Sequence, residues 1–331
     1  MAKTSGSDKN ILLIGGAGYI GSHMLRVLLH NGITPVVFDN LSSGLRHFIP
    51  KGVAFFKGDL KNLQDIRSVF KKYKITTVMH FASSIIVPES VAQPIKYYEN
   101  NVGSFINLMK AMQEAKVKKI IFSSTAAVYA EPKKIPIPED ALLIPSNPYG
   151  QTKLMCEQIL RDCAAAHQDF SYVIFRYFNV AGAHDDGGIG ESHEPETHLI
   201  PIVLETALGR RDVLQIFGHD YQTPDGTCVR DYIHVQDLAE AHYLALKAIS
   251  GKARNQVFNL GSQKGFSVKQ VIDAARRVTG RDIPVKMFPR RAGDSARLIA
   301  SSHKAKKILG WVPKRGLEQM ILSAWEWEKI Q

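Results

Sequence analysis

Tyr149 and Lys153 stand four residues apart in the stretch Tyr149-Gly150-Gln151-Thr152-Lys153. On a helix that spacing sets a phenol and an ammonium on one face. A free tyrosine, with a pKa near ~10, is a poor base at neutral pH. A neighbouring cation, joined by a positively charged nicotinamide, favours the phenolate and makes it a general base and acid for an alcohol-to-ketone step. Upstream, Ser123-Ser124-Thr125 closes a β-branched run. Ligands bind at the carboxyl edge of open α/β sheets, so a hydroxyl from Thr125, or from Ser124, is placed to bond the oxygen that Tyr149 deprotonates.

A second constellation is Gly15-Gly16-Ala17-Gly18-Tyr19-Ile20-Gly21, directly after an apolar run and at the head of an amphipathic one. Such a turn lets the backbone approach a pyrophosphate at a helix N-terminus, where amide groups and the dipole favour negative charge. Asp39 follows about twenty residues on, where a carboxylate accepts from adenosine ribose hydroxyls. That carboxylate repels a 2′-phosphate and favours NAD over NADP, with Arg46 nearby as a counterweight. Gly58-Asp59-Leu60 follows the third strand, at the edge where an adenine ring would lie.

Other reactive side chains point to blander roles. His184, Asp185, Asp186, His193, Glu194, Glu196 and His198 crowd one loop, but their spacing fits no helix-face or zinc-knuckle pattern. The expectation is a polar loop near the substrate, with no metal. Cys156 and Cys163, seven apart on one helical face, read as packing, and Cys228 completes an odd count without a CxxC pair. His234 reads as a structural hydrogen-bonder.

The elements that must carry these groups follow from the texture of the 331-residue chain. Short β-branched runs alternate with amphipathic stretches, the sign of βαβ units on a parallel sheet. Strands are expected at 10–14, 34–38, 53–56, 77–81, 119–123 and 172–177. Helices are expected at 19–30, 63–72, 94–115 and from Tyr149 to about His167. The Pro-rich stretch 132–148 reads as a loop, and 201–208 as a helix covering a ligand base.

The fold class is therefore α/β, a Rossmann-type doubly wound parallel sheet with a smaller C-terminal α/β substrate lobe. The expected division is a dinucleotide domain over 1–180, rejoined by 229–260, and a substrate lobe over 181–228 and 261–331.

Composition narrows the function classes. Apolar residues make up 45% and charged residues 22%, ordinary for a globular protein. No apolar run nears the ~18 residues of a membrane span. Met1 to Asn10 is polar, without the apolar stretch of a signal peptide, so a frayed tail and a cytoplasmic protein are expected. The net charge of +11 suggests anionic ligands. Its lysine pairs are scattered and not interleaved with aromatics, which argues against nucleic acid.

Taken with these motifs, the chain resembles the extended short-chain dehydrogenases/reductases, and within them the UDP-galactose 4-epimerases, over nearly its whole length. Further segments carrying the likeness are Glu89-Ser90-Val91, Tyr97-Tyr98-Glu99-Asn100-Asn101-Val102, Val128-Tyr129 and Ser146-Asn147-Pro148-Tyr149-Gly150. Beyond them come Arg176-Tyr177-Phe178-Asn179, Gly226-Thr227, Arg230-Asp231-Tyr232-Ile233-His234-Val235, Asn259-Leu260-Gly261 and Arg290-Arg291-Ala292-Gly293-Asp294.

The resemblance implies Thr125, Tyr149 and Lys153 as the catalytic set. It implies NAD contacts from Gly15, Gly18, Tyr19, Ile20 and Gly21, from Asp39, Asn40, Asp59 and Leu60, and from Phe81, Ala82, Asn100, Ser123, Tyr149, Lys153 and Tyr177. It implies Asn179, His198 and Leu199 at the substrate phosphates and base, with Phe217, Arg230, Arg291 and Asp294 holding UDP and Leu298 lining the hexose pocket. The activity implied is inversion at C4 of a UDP-hexose, and the assembly implied is a homodimer through the helices beginning at Pro94 and Tyr149.

Three positions depart from the family pattern. Ile85 replaces a lysine near the cofactor, His198 an asparagine at the diphosphate, and Leu298 a bulky tyrosine, which widens the pocket toward N-acetylhexosamines. A nucleotide-sugar 4,6-dehydratase would carry an acidic pair where Ala126-Ala127 stands. Competing expectations are a 4-epimerase of UDP-glucuronate or UDP-xylose, and a non-catalytic NAD-binding sensor. The intact Tyr149–Lys153 pair weighs against the sensor.

Overall fold

A computed structural model describes residues 10–291 and 294–331. The N-terminal tail through residue 9 and Ala292-Gly293 of the arginine motif lie outside them. The chain forms two compact units, one of residues 1–128, 143–175 and 239–257, the other of 129–142, 176–238 and 258–331.

The first unit begins with the strand β1 (Ile11–Ile14), buried at every residue, and the helix α1 (Tyr19–His30). β2 (Val36–Asp39) starts two residues later than expected, just after Pro35, which lacks the N–H a ladder needs. β3 (Ala54–Lys57), α2 (Leu63–Lys72) and β4 (Thr77–His80) follow. A short helix α3 (Val87–Ala92), absent from the sequence expectation, precedes α4 (Pro94–Tyr97) and α5 (Ser104–Glu114).

The expected helix 94–115 is thus a single helical run interrupted by a π-turn over Tyr98–Gly103. The wider turn offsets the ladder, and the Ser104 hydroxyl donates to the carbonyl of Asn100. β5 (Lys119–Thr125), α6 (Pro148–Ala166) and β6 (Ser171–Tyr177) complete the series.

The remaining elements are β7 (Asn179–Ala181), α7 (Leu199–Ala207), β8 (Leu214–Phe217), β9 (Val229–His234), α8 (Val235–Ala248) and β10 (Gln256–Leu260). After them come β11 (Gly265–Ser267), α9 (Val268–Thr279), β12 (Val285–Phe288), β13 (Arg297–Leu298), α10 (His303–Leu309) and α11 (Leu317–Glu328). α7 opens two residues before the helix expected at 201.

The main sheet has the order β10-β6-β5-β4-β1-β2-β3, with parallel pairing from β3 through β5. The order reverses between β1 and β4, the switch point outside which open α/β sheets bind ligands. Its core packs Leu12, Ile14, Phe38, Val78, Phe105, Leu108, Phe122 and Leu160, all essentially buried. Each such side chain contributes about 1.5–3 kcal/mol on burial. Cys156 belongs to this core with Cys163 packed against it, and all three cysteines are free thiols.

One strand goes elsewhere than expected. The segment 229–235 was assigned to rejoin the main sheet, but β9 centres a smaller sheet with β11, β13 and β7, while β10 alone joins the seven. Strands buried in a parallel sheet read as continuous apolar runs. Arg230 and Asp231 break that pattern in β9. The second unit's core gathers Ile200, Leu204, Ile216, Ile272, Ile321 and Trp325 between α7, α9 and α11. Among the described residues, no helix is long and apolar enough to cross a membrane.

Candidate active site

In the first unit the turn after β1 is built by glycines. Gly15 has φ +74°, and a Cβ on it would stand 2.7 Å from the backbone nitrogen of Ala82, so the chain after β1 and the chain after β4 touch at the switch point. A Cβ on Gly21 would collide with the carbonyl of Gly15. Gly18 caps α1 with extended backbone and no side-chain cap, so the helix presents its N-terminal amides without a competing side-chain acceptor.

Asp39 accepts from the backbone N–H of Ala17 at 3.0 Å and of Leu41 at 2.8 Å. Burial raises its pKa, and those two bonds pull the other way. Asn40 donates to Asp59 at 3.0 Å, tying the ends of β2 and β3 together beside buried Leu60. Phe81 packs its ring 5.0 Å from that of His242.

Asn100 and Asn101, carried on the π-turn, hold the chain after β4. Asn100 donates to the Ser84 hydroxyl at 2.9 Å. Asn101 accepts from the Ser84 N–H at 2.9 Å, donates to the Ser84 carbonyl at 3.0 Å, and reaches Thr152 of α6 at 3.1 Å. Asn101 has no role in the sequence expectation, since a buried amide bridging two elements leaves no mark in local spacing. Ile85, next in the chain, is 38% exposed.

α6 starts where the Asn147 side chain accepts from the Gly150 N–H at 2.9 Å and Pro148 occupies the first turn. Gly150 has no room for a Cβ, which would run into the carbonyl of Ala127. That close approach seats the first turn of α6 against the end of β5, and the Tyr149 and Thr125 hydroxyls bond each other there. Burial pushes the Tyr149 phenol up to about 12, and the Thr125 bond pulls it back only in part.

Lys153 is buried and donates to the carbonyl of Ser123 at 2.9 Å. Burial lowers its pKa to about 8, against the pull of Cys156 and Glu157. Burial, with the Lys153 charge second, holds the buried His80 down at about 3. Lys153, on the same helix face as Tyr149, thus has one of its three N–H donors committed to a main-chain carbonyl.

Ser124 parts company with Thr125. Adjacent strand residues face opposite sides, and Ser124 donates at 2.6 Å to Glu157, a fully buried carboxylate that also accepts from Arg161 at 2.7 Å. Its hydroxyl is thus committed to α6 rather than to the Tyr149 face. Nothing in the local spacing marks Glu157, because its burial depends on a partner more than thirty residues away.

The second unit carries the remaining residues. Asn179 is the cross-strand partner of Tyr232, and Leu298 that of Arg230. Residues two apart on a strand share a face, so Asn179, Arg230 and Leu298 line one side of the small sheet. Arg230 donates to the carbonyls of Val229 at 3.0 Å and Ser295 at 2.8 Å and faces Asp294 at 3.5 Å. Arg291 pairs with Asp294 at 2.9 Å and lies 5.1 Å over the Phe217 ring. Asp294 thus bridges two arginines beside an aromatic face. Tyr177 belongs to this unit by chain position.

The polar motifs also frame the unit. Asp231, with no exposed surface, accepts from the N–H groups of Ser262, Gln263 and Ala300, and burial raises it to about 6. Arg176 donates to the Tyr129 hydroxyl and the Glu139 carbonyl, each at 2.9 Å, and Tyr129 donates to Asn259 at 2.6 Å. This network ties the segment 129–142 to β6 and β10 within the second unit. His234 bonds Gln236 and Ser323 and has a structural role, as expected.

The loop before α7 holds Glu191, His193, Glu196 and His198 together, while His184 and Asp186 pair separately. Burial alone would raise Glu191, but the charge of His198 and the bonds from both histidines outweigh it and draw the carboxyl down to about 2. His193, opposed by burial, is raised to about 10 by Glu191 and Glu196.

Comparison with known proteins follows this geometry. Residues 11–261 match the model of the NAD dependent epimerase/dehydratase family. A UDP-glucose 4-epimerase of Halalkalibacterium halodurans is 54% identical over 320 residues, covering 96% of this chain and 95% of that protein. A crystal structure of a UDP-glucose 4-epimerase superposes with a TM-score of 0.94 at 50% identity, over 97% of this chain and 98% of that one. The Bifidobacterium longum UDP-glucose 4-epimerase in complex with NAD+ and UDP gives 0.92 at 40% identity, over 97% and 98%. With its glycine turn, its Tyr149–Lys153 helix and this full-length similarity, the chain belongs to the NAD dependent epimerase/dehydratase family.

Proposed function

We propose that the protein inverts the C4 hydroxyl of a UDP-hexose, interconverting UDP-galactose and UDP-glucose through a 4-keto intermediate with bound NAD. The observation that carries this reading is the Tyr149–Thr125 hydroxyl pair, with Lys153 on the same helix, in the unit that holds the glycine turn of α1.

NAD fits the residues present. The uncapped N-terminus of α1 suits a pyrophosphate, with Gly15, Gly18, Tyr19, Ile20 and Gly21 supplying backbone. Asp39, with Asn40, Asp59 and Leu60 beside it, suits an adenosine without a 2′-phosphate. Phe81, Ala82, Asn100, Ser123 and Tyr177 are the further contacts proposed. NAD held there would supply a reversible hydride acceptor for C4 of the sugar.

Tyr149 takes the C4 hydroxyl proton at its phenolic oxygen and gives it back in the reverse half. Burial holds the phenol high, and the Lys153 cation on the same helix face, with the positive charge that bound NAD would add, favours the phenolate. Thr125 bonds the same oxygen, and Lys153, anchored on Ser123, is placed to donate to a ribose hydroxyl.

In the second unit, Arg230 and Arg291 grip the diphosphate, since guanidinium suits phosphate with two parallel bonds. Asn179 and the Nε2 edge of His198 add to that grip. Asp294 accepts from the uridine ribose, and Phe217 and Leu199 flank the base. Binding of the distant UDP keeps the intermediate in place while the sugar turns.

Leu298, smaller than a tyrosine, leaves room for an N-acetyl group, so UDP-N-acetylhexosamines are proposed as further substrates. Turnover of UDP-glucose without any turnover of UDP-N-acetylglucosamine would refute that extension.

A homodimer in the cytoplasm completes the reading. Val91, Ile95, Ile106 and Met155 on α3 to α6 are 62%, 67%, 40% and 38% exposed, an apolar set suited to a second copy. Incubating the purified protein with UDP-galactose and no added cofactor, then resolving nucleotide sugars by chromatography, tests the function. Conversion to UDP-glucose supports it; no conversion, even with excess NAD, overturns it.

A further inference from the structure

The loop between β7 and α7 brings four metal-type side chains to a common point, and of these the proposed reaction uses only His198, through its other ring nitrogen. One ligand atom each from Glu191, His193, Glu196 and His198 lies within 4.8 Å of all the others. Both histidines aim Nδ1 at the same oxygen of Glu191, His193 from 3.2 Å and His198 in closer contact. Glu196 lies across from them, its oxygens 3.7 Å from His193 Nδ1 and 3.8 Å from His198 Nδ1.

We propose that Glu191, His193, Glu196 and His198 form a binding site for one divalent transition-metal ion, with Zn2+ the best match.

The donor set suits the ion. Two imidazole nitrogens with two carboxylate oxygens form a borderline N/O set of the kind Zn2+ accepts, and the two carboxylates balance its charge. Bonds of ~2.0–2.1 Å set the edges of a tetrahedron at about 3.3 Å. Three separations, 3.2, 3.7 and 3.8 Å, lie near that edge, the Glu191–His198 contact is shorter, and all fall within 4.8 Å. Side-chain rotation must therefore open one contact and draw the others in to close the shell.

The supports of the shell are already in place. Glu196 accepts from the backbone N–H groups of Thr197 at 2.6 Å and His198 at 2.7 Å, which fixes the carboxylate. Trp327 of α11 donates to the Glu191 carbonyl at 2.7 Å. Gly190 lies against the same indole, with no space for a Cβ. Metal-binding carboxylates are oriented by outer bonds of the kind Glu196 accepts, while the Trp327 and Gly190 contacts fix the backbone that carries Glu191. Glu191 is 5% exposed and closes one side of the site, while the His198 side chain, 43% exposed, leaves the other side open to solvent.

The ion would fasten 191–198 to the first turn of α7, which His198 precedes. The proposal rests on these four side chains alone and is independent of the epimerase reading.

The test is metal content of the full-length protein, stripped with a chelator, reloaded with Zn2+, desalted and assayed by mass spectrometry. About one zinc per chain is expected, as one site implies. His193→Gln is expected to lose zinc affinity by about tenfold or more, while His47→Gln, at an exposed histidine outside the cluster, keeps it. Circular dichroism checks that each variant is folded. Should the His193 variant fail that check, Co2+ loaded into the unaltered protein decides the matter. Intense visible absorption of four-coordinate Co2+ supports the site. No bound zinc, the weak spectrum of six-coordinate Co2+, or full retention of zinc by folded His193→Gln overturns it.

Discussion

The Nζ of Lys153 donates to the main-chain carbonyl of Ser123 at 2.9 Å, so the buried ammonium is anchored on β5. Burial lowers this lysine to about 8 from its usual 10.5, which makes the charged form a cost to the fold. Between those two values the unfolded chain binds more protons than the folded one, so this contribution to stability rises with pH. Below about 8 the full penalty applies. Lys153→Met is therefore expected to stabilise the protein at pH 7 by about 1–3 kcal/mol, net of the lost hydrogen bond. The gain should shrink as pH climbs from 8 toward 10.5, while activity falls throughout. Thermal melts of both proteins at pH 7 and pH 9.5 check this; a lower melting temperature at pH 7 would contradict it.

Tyr149→Phe removes the proposed proton carrier without changing the shape of the site. Turnover should fall about 10²–10⁴-fold, the usual span for a general acid–base group. NAD content, read from nucleotide released on denaturation, should stay unchanged. Full activity in this variant would refute the mechanism and reopen the reading of an NAD-binding sensor.

The two hydroxyls at the end of β5 separate by their partners. Thr125→Ala, losing the bond to Tyr149, should lower kcat about tenfold or more. Ser124→Ala should keep kcat within about threefold but cost about 1–2 kcal/mol, because buried Glu157 loses a donor. Kinetics together with urea unfolding distinguish them; the reverse pattern would mean that Ser124 serves the substrate.

Arg291 is the exposed half of the arginine pair around Asp294. Arg291→Ala should raise KM for the UDP-sugar about 10–100-fold, since charge-assisted hydrogen bonds contribute about 1.5–3 kcal/mol, and leave kcat nearly constant. Loss of kcat at unchanged KM would remove Arg291 from the proposed UDP grip.

Leu298→Tyr should suppress turnover of UDP-N-acetylglucosamine while sparing UDP-glucose, if the small side chain is what admits the N-acetyl group. Parallel assays of the two sugars measure the ratio; an unchanged ratio rules out Leu298 as the selector.

Local patterns made much of the molecule legible in the sequence. α1 and α2 carry a clear apolar period and begin after Gly18 and Asn62, so their ends fall where the spacing predicts. The glycine turn was equally plain, because few residues other than glycine fit there. Partnership in three dimensions was less visible. A β-branched run says strand without saying which sheet, and so β9 was assigned to the wrong one. Ser124 and Thr125 alternate in any strand, but only the position of Glu157 reveals which hydroxyl faces away. Glu191 joined His193, Glu196 and His198 through a loop that closes on itself, a geometry that fixed-spacing patterns do not describe.

The central claim is that one hydride leaves C4 and returns to it while Tyr149 carries the proton. UDP-galactose deuterated at C4, incubated with the purified protein in ordinary water, tests this most directly. The predicted product is UDP-glucose with its deuterium still on C4, by mass spectrometry. Deuterium washed out into solvent, or no UDP-glucose at all, would contradict it.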